Sequence, residues 1–138
     1  MKIVVVGAGA MGSLFSALLA SGGHQVWLLA RRADVAETIA RKGVTVVRGR
    51  SRKAVAVAAT SRAVDVGTAD LILIFVKAYS TLEACRDVLP PDGPSTVVLS
   101  QQNGLYNEET ITSVVGSEKV LAGVTSYGAT LLGPGLVR

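Results

Sequence analysis

Apolar and polar positions alternate in blocks along this chain. Ile3-Val4-Val5-Val6 is a β-branched run that suits a strand buried on both faces. From Met11 the spacing changes: Leu14, Phe15, Leu18 and Leu19 recur at helical intervals and predict one apolar face. Gly22-Gly23 ends that helix, and His24 is a polar loop residue opening the next strand, Val26-Trp27-Leu28-Leu29. Residues 34–42 predict a second helix. Asp34 and Glu37 stand at capping-box spacing, Arg41 and Lys42 favour the negative end of the helix dipole, and Gly43 closes it.

Residues 44–47 and 54–59 predict strands flanking the basic stretch Arg48-Gly49-Arg50-Ser51-Arg52-Lys53. Leu71-Ile72-Leu73-Ile74-Phe75-Val76 is the most hydrophobic strand and belongs at the centre of the sheet. Ser80 and Glu83 form a second capping box. Ala78, Leu82, Cys85 and Leu89 mark the buried face of the helix that follows, which makes Cys85 a core thiol, and Pro90-Pro91-Asp92-Gly93-Pro94 stops it. A strand at 95–100, a helix at 107–115 closed by Gly116, and strands at 119–126 and 129–137 complete the chain. This alternation predicts an α/β domain with a doubly wound, mostly parallel sheet and helices on both faces.

Composition narrows the function classes. The 138 residues are the size of one domain, with 49% hydrophobic and 17% charged residues. A single cysteine permits no internal disulfide and fits a reducing, cytoplasmic setting. The longest apolar run is residues 71–76, too short to span a bilayer, and the lone histidine has no partner for a metal site. Fourteen Lys and Arg against ten Asp and Glu suit an anionic ligand. Residues 48–53 invite a nucleic-acid reading, but they are few and lack aromatics, and they read as a solvated hairpin turn.

Candidate chemistry collects where strands end. Gly7-Ala8-Gly9-Ala10-Met11-Gly12 has the order G-x-G-x-x-G between a strand and a helix. Gly7 permits a sharp turn, Gly9 lets backbone approach a pyrophosphate, and Gly12 lets helix pack close to sheet. The helix N-terminus adds unpaired N–H groups. Two other readings apply to this stretch: a secretory signal, which the glycines would spoil as a helix, and a glycine turn without a ligand. Arg31 and Arg32 stand where an NAD-preferring site carries an acid, and so favour a 2′-phosphate by roughly 10- to 150-fold. The alternative is two solvated arginines, with Asp34 close by. Lys77 follows the central strand and Asn103 the next one; each is either a site residue or an exposed loop residue.

The glycine motif, Arg31, Val76-Lys77-Ala78-Tyr79, Gln102-Asn103-Gly104 and Gly123-Val124-Thr125-Ser126-Tyr127-Gly128-Ala129 together resemble the ketopantoate reductase (2-dehydropantoate 2-reductase) family across the whole chain. The resemblance implies a Rossmann-type NADP-binding domain over residues 1–138. Gly7, Ala8, Gly9, Ala10, Met11, Gly12, Arg31, Lys77, Asn103 and Ala129 would bind NADPH, with Asn103 also facing substrate and no metal required. The implied reaction is hydride transfer to the 2-keto group of ketopantoate on the route to coenzyme A. Family members carry a further helical domain that supplies the general-acid lysine. The sequence stops at Arg138, so these residues are expected to hold no catalytic residue and to be inactive alone. Lys77 matches the cofactor motif, not that acid. Two other functions stay open: a reductase of another 2-keto or imino acid, and a stand-alone NADP-binding regulatory module. Partners expected are a small 2-keto acid, with neither nucleic acid nor membrane.

Overall fold

The β-branched run at residues 3–6 lies near the middle of a six-stranded sheet in the computed structural model, which describes residues 1–87 and 91–138. In chain order the first half comprises β1 (Lys2–Val6), α1 (Ala10–Ser21), β2 (Gln25–Leu29), α2 (Ala33–Lys42), β3 (Val44–Arg48), β4 (Ser51–Val55) and β5 (Ala58–Thr60). The second half comprises β6 (Leu71–Ile74), α3 (Thr81–Asp87), β7 (Val97–Ser100), α4 (Asn107–Val115), β8 (Val120–Ala122), β9 (Leu131–Gly133) and β10 (Leu136–Val137). The main sheet runs β5-β2-β1-β6-β7-β8, and every pairing in it is parallel.

Side chains of successive strand residues point to opposite faces, and the two cores follow that alternation. Ile3, Val5 and Leu73 pack with Leu14 and Ala17 of α1 and Ile39 of α2. Val4, Val6, Ile72 and Ile74 pack with Ala84 and Cys85 of α3 and Ile111 and Val115 of α4. Helices therefore cover both faces, and all β strands of the main sheet end at one rim. Burial pushes the Cys85 thiol up to about 11, so it stays a neutral core group.

Several local expectations are corrected. Residues 54–59 do not form one strand. β4 pairs antiparallel with β3, whereas β5 leaves that hairpin and pairs parallel with β2 in the main sheet. The basic hairpin turn shrinks to Gly49-Arg50, with the other basic residues on the strands themselves. The late strands also divide: β8 joins the main sheet, while β9 and β10 make a hairpin in a second sheet ordered β4-β3-β10-β9. Val44 and Val137 are fully buried against the α1 side, so this small sheet extends that core.

Neither capping box forms as expected. Arg32, not Asp34, is the α2 N-cap; its guanidinium has no acceptor to offer the first-turn N–H groups, and Asp34 lies inside the helix, paired with Arg32. Ser80 lies inside a 3₁₀ turn, Ala78–Ser80, ahead of α3. The buried face of α3 is Thr81, Ala84 and Cys85, while Ala78 and Leu82 are exposed. Leu89, also expected on that face, and Pro90 of the expected turn lie outside the described residues.

Candidate functional site

The turn out of β1 separates its three glycines by physical role. Gly7 has φ +108°, in the region that favours glycine, and a Cβ there would press on Val76 at 3.1–3.2 Å. A Cβ on Gly12 would fall on the Gly7 carbonyl oxygen. Those two positions are fixed by the fold. Gly9 differs: its φ is −77°, and a Cβ would meet no protein atom within 4 Å. The space beside Gly9 is open, and α1 begins there without a side-chain cap or an acidic residue in its first turn. The first intrahelical donor is Ser13 N–H, to Gly9 O at 2.9 Å, so the N–H groups of Ala10, Met11 and Gly12 have no helical acceptor. Uncapped donors, a positive dipole end and open ground fit a phosphate diester.

Beside this turn lies a cavity of about 510 Å³ whose lining includes Gly7, Ala8, Arg31, Arg62, Val76 and Glu83. Arg31 stands at the end of β2, with its nearest carboxylate, on Glu83, 3.7 Å away and both side chains mostly exposed. Asp34 does not compete for Arg31. Its carboxylate takes the Arg32 Nε–H at 3.0 Å as well as an Nη2–H, and this pairing holds Asp34 below the usual carboxylate range. The Arg31 guanidinium is left with its donors available to an anion.

Over residues 3–138 the sequence matches the family described as Ketopantoate reductase PanE/ApbA. The chain belongs to the ketopantoate reductase family. A 2-dehydropantoate 2-reductase of Pyrococcus abyssi is 41% identical over 138 residues, covering 100% of this chain and 44% of that protein. A PanE/ApbA family ketopantoate reductase from Ralstonia eutropha superposes with a TM-score of 0.91 at 36% identity, over 100% of this chain and 46% of the other. D-mandelate dehydrogenase, in a ternary structure with NADH and anilino(oxo)acetate, gives a TM-score of 0.92 at 30% identity, over 99% and 45%. The chain thus spans a little under half the length of these relatives.

In this member of the ketopantoate reductase family, Lys77 and Asn103 are exposed on the loops after β6 and β7. Neither lines the cavity; Lys77 follows Val76, which does, and Gln102, the residue before Asn103, donates to the Val76 carbonyl. A buried polar chain joins their two loops. Gln102 Nε2 donates to Val76 O and to Thr81 Oγ1, both at 2.8 Å. Thr81 Oγ1 donates to Asn107 Oδ1, and Asn107 Nδ2 donates to the carbonyls of Asn103 and Gly104, each at 3.2 Å. Ala129 lies away from that network, half-buried against the α1-side core. Its segment is held by Tyr127, edge-on to Phe15 of α1 with ring centroids 6.2 Å apart.

Two groups of residues escaped the sequence reading. Ser61, Arg62, Ala63 and Val64 reach the cavity because β5 joins the main sheet beside β2, a pairing no local pattern marks. Thr81 and Asn107 sit one at each helix start and are almost fully buried, 1% and 2% exposed, and only the fold brings them together. Removing this link has an expected cost. Asn107→Ala removes three hydrogen bonds, one of them donated by the buried Thr81 hydroxyl, and should lower the unfolding free energy by about 1–3 kcal/mol. An unchanged urea midpoint would deny the network that role.

Among the described residues, no group of three or more His, Cys, Asp and Glu stands together as a metal site. None of their helices is long and apolar enough to cross a membrane.

Proposed function

We propose that this chain binds NADPH at the carboxyl ends of β1, β2, β6 and β7, as the cofactor-holding domain of a 2-dehydropantoate 2-reductase. The observation that carries this reading is Arg31: a guanidinium at the end of β2, lining the cavity beside the glycine turn, without a short carboxylate partner. When bound, the nicotinamide supplies a hydride. The chain's residues do the rest by binding and orienting. Gly9 and the first-turn N–H groups at Ala10, Met11 and Gly12 hold the pyrophosphate, with Gly7 and Ala8 shaping the turn. Arg31 takes the 2′-phosphate. Lys77 and Ala129 serve the cofactor, and Asn103 serves both the nicotinamide end and the substrate. Its side-chain amide can donate one hydrogen bond to a keto oxygen.

A second reading has one observation behind it. The likeness to D-mandelate dehydrogenase, whose structure holds NADH and anilino(oxo)acetate, favours a reductase of a different 2-keto acid. The 41% identity to a 2-dehydropantoate 2-reductase supports ketopantoate first.

Titration of nicotinamide fluorescence tests the cofactor. A charge-assisted pair is worth about 1.5–3 kcal/mol, so NADPH should bind roughly 10- to 150-fold more tightly than NADH. Arg31→Ala should narrow the gap between the two affinities by weakening NADPH. Equal affinities in the starting chain would remove Arg31 from the site.

A further inference from the structure

We propose that Arg62 is a second specificity-determining residue, closing with Arg31 on the 2′-phosphate of NADPH. This rests on the dinucleotide reading above and deepens it. The sheet register carries the inference. β2 and β5 run parallel with Leu29 beside Thr60, and the pairing continues where the Ala30 N–H donates to Thr60 O at 3.0 Å. Parallel neighbours lie about 4.8 Å apart, so the two strands leave the sheet side by side. Arg31 follows Leu29 by two residues, and Arg62 follows Thr60 by two residues. Both side chains line the same cavity.

The charge pattern points the same way. Two arginines on adjacent strand ends repel each other unless anions lie near. Among the described residues each has one carboxylate within 4 Å, Glu83 for Arg31 and Asp65 for Arg62, and both contacts are 3.7 Å, beyond hydrogen-bond reach. The side chains are 79% and 73% exposed. Arg32, by contrast, is committed to Asp34. The base of Arg62 is fixed even though its tip is free. Its N–H donates to Thr60 Oγ1 at 3.0 Å, and that hydroxyl donates to Asp65 Oδ2 at 2.7 Å. A phosphate monoester presents three strong acceptor oxygens, more than one guanidinium fork satisfies. A second fork takes up the remainder. NADH offers only hydroxyls at that place, and two adjacent cations gain little from them.

The test uses two small probes of the adenosine end, adenosine 2′,5′-bisphosphate and AMP, titrated calorimetrically into the chain. Arg62→Ala should weaken the bisphosphate about tenfold and AMP by less than twofold. Arg62→Lys should recover part of the loss. Asp65→Asn removes the carboxylate charge near Arg62 and should preserve discrimination between the probes. The inference is overturned if Arg62→Ala weakens both probes equally or neither. It is also overturned if Asp65→Asn reproduces the loss, or if Arg86→Ala in the same cavity carries the discrimination instead. A starting chain that discriminates through Arg31 while ignoring Arg62 defeats this inference alone. One that binds neither NADPH nor the bisphosphate defeats the dinucleotide reading with it.

Discussion

NADPH titrated into a Gly9→Val variant should give no saturable signal, while the variant unfolds within about 1 kcal/mol of the starting chain. The two halves of that result have separate causes. Gly9 has an ordinary φ of −77° and no protein atom within 4 Å of a Cβ built on it, so valine finds room in the fold. The cost to stability is that of a poor helix cap, about 1 kcal/mol or less relative to glycine. The same side chain would occupy the ground in front of the uncapped N-terminus of α1. Losing two or more charge-assisted bonds to a pyrophosphate, at about 1.5–3 kcal/mol each, removes binding by orders of magnitude. Gly12→Val makes the contrast. There a Cβ collides with the Gly7 carbonyl, and the domain should lose its fold along with its ligand. NADPH affinity retained within threefold in the Gly9 variant would move the pyrophosphate elsewhere.

The second large effect is on turnover. The 138 residues alone should bind NADPH and yet leave its absorbance at 340 nm unchanged in the presence of ketopantoate, apart from a trace rate. Hydride transfer to a keto carbon builds charge on oxygen, and that charge needs a proton donor. General acid catalysis contributes about 10²–10⁴-fold, and positioning of the substrate against the cofactor contributes more. Asn103 can donate a hydrogen bond but has no proton to give up at neutral pH. In the proposed site Lys77 serves the cofactor. The residues of that proposed site hold and orient, and the chain spans 44% of the reductase from Pyrococcus abyssi. A longer version that includes any following domain should restore turnover. Turnover by the 138 residues at a rate usual for a dehydrogenase would overturn this expectation and bring Lys77 back into consideration as the acid.

What the sequence makes legible is what neighbouring residues decide. The β-branched run, the glycine turn and the amphipathic stretch are contiguous, so β1, the turn and α1 can be read directly, and Arg31 follows from counting to the end of the next strand. Lys77 and Asn103 stand out as strand-end residues and by the resemblance of their motifs to the family. The remainder depends on contacts distant in sequence. β5 is three residues long, Ala58-Ala59-Thr60, with small side chains and no alternation, so nothing local detaches it from β4 or sets Arg62 beside Arg31. Thr81 and Asn107 look like ordinary helix-start residues until α3 and α4 pack together and bury them. The two capping boxes fail for local reasons: α2 starts at Ala33, which puts Asp34 inside the helix and paired with Arg32, and a 3₁₀ turn takes up Ser80.

The second sheet has a consequence in time. β3 and β4 pair locally through a two-residue turn, but the other edge of β3 is paired by β10, where Thr45 meets Leu136 and Val46 meets Val137. Those partners leave the ribosome about 90 residues later, several seconds at about 5–20 residues per second. Until then the Val44–Arg48 strand has one unpaired edge, with Val44 and Val47 awaiting a finished core. Such an edge is a template for pairing between nascent chains. The arginines and lysine at positions 48, 50, 52 and 53 put like charge along each such hairpin, which disfavours pairing between two of them during that interval.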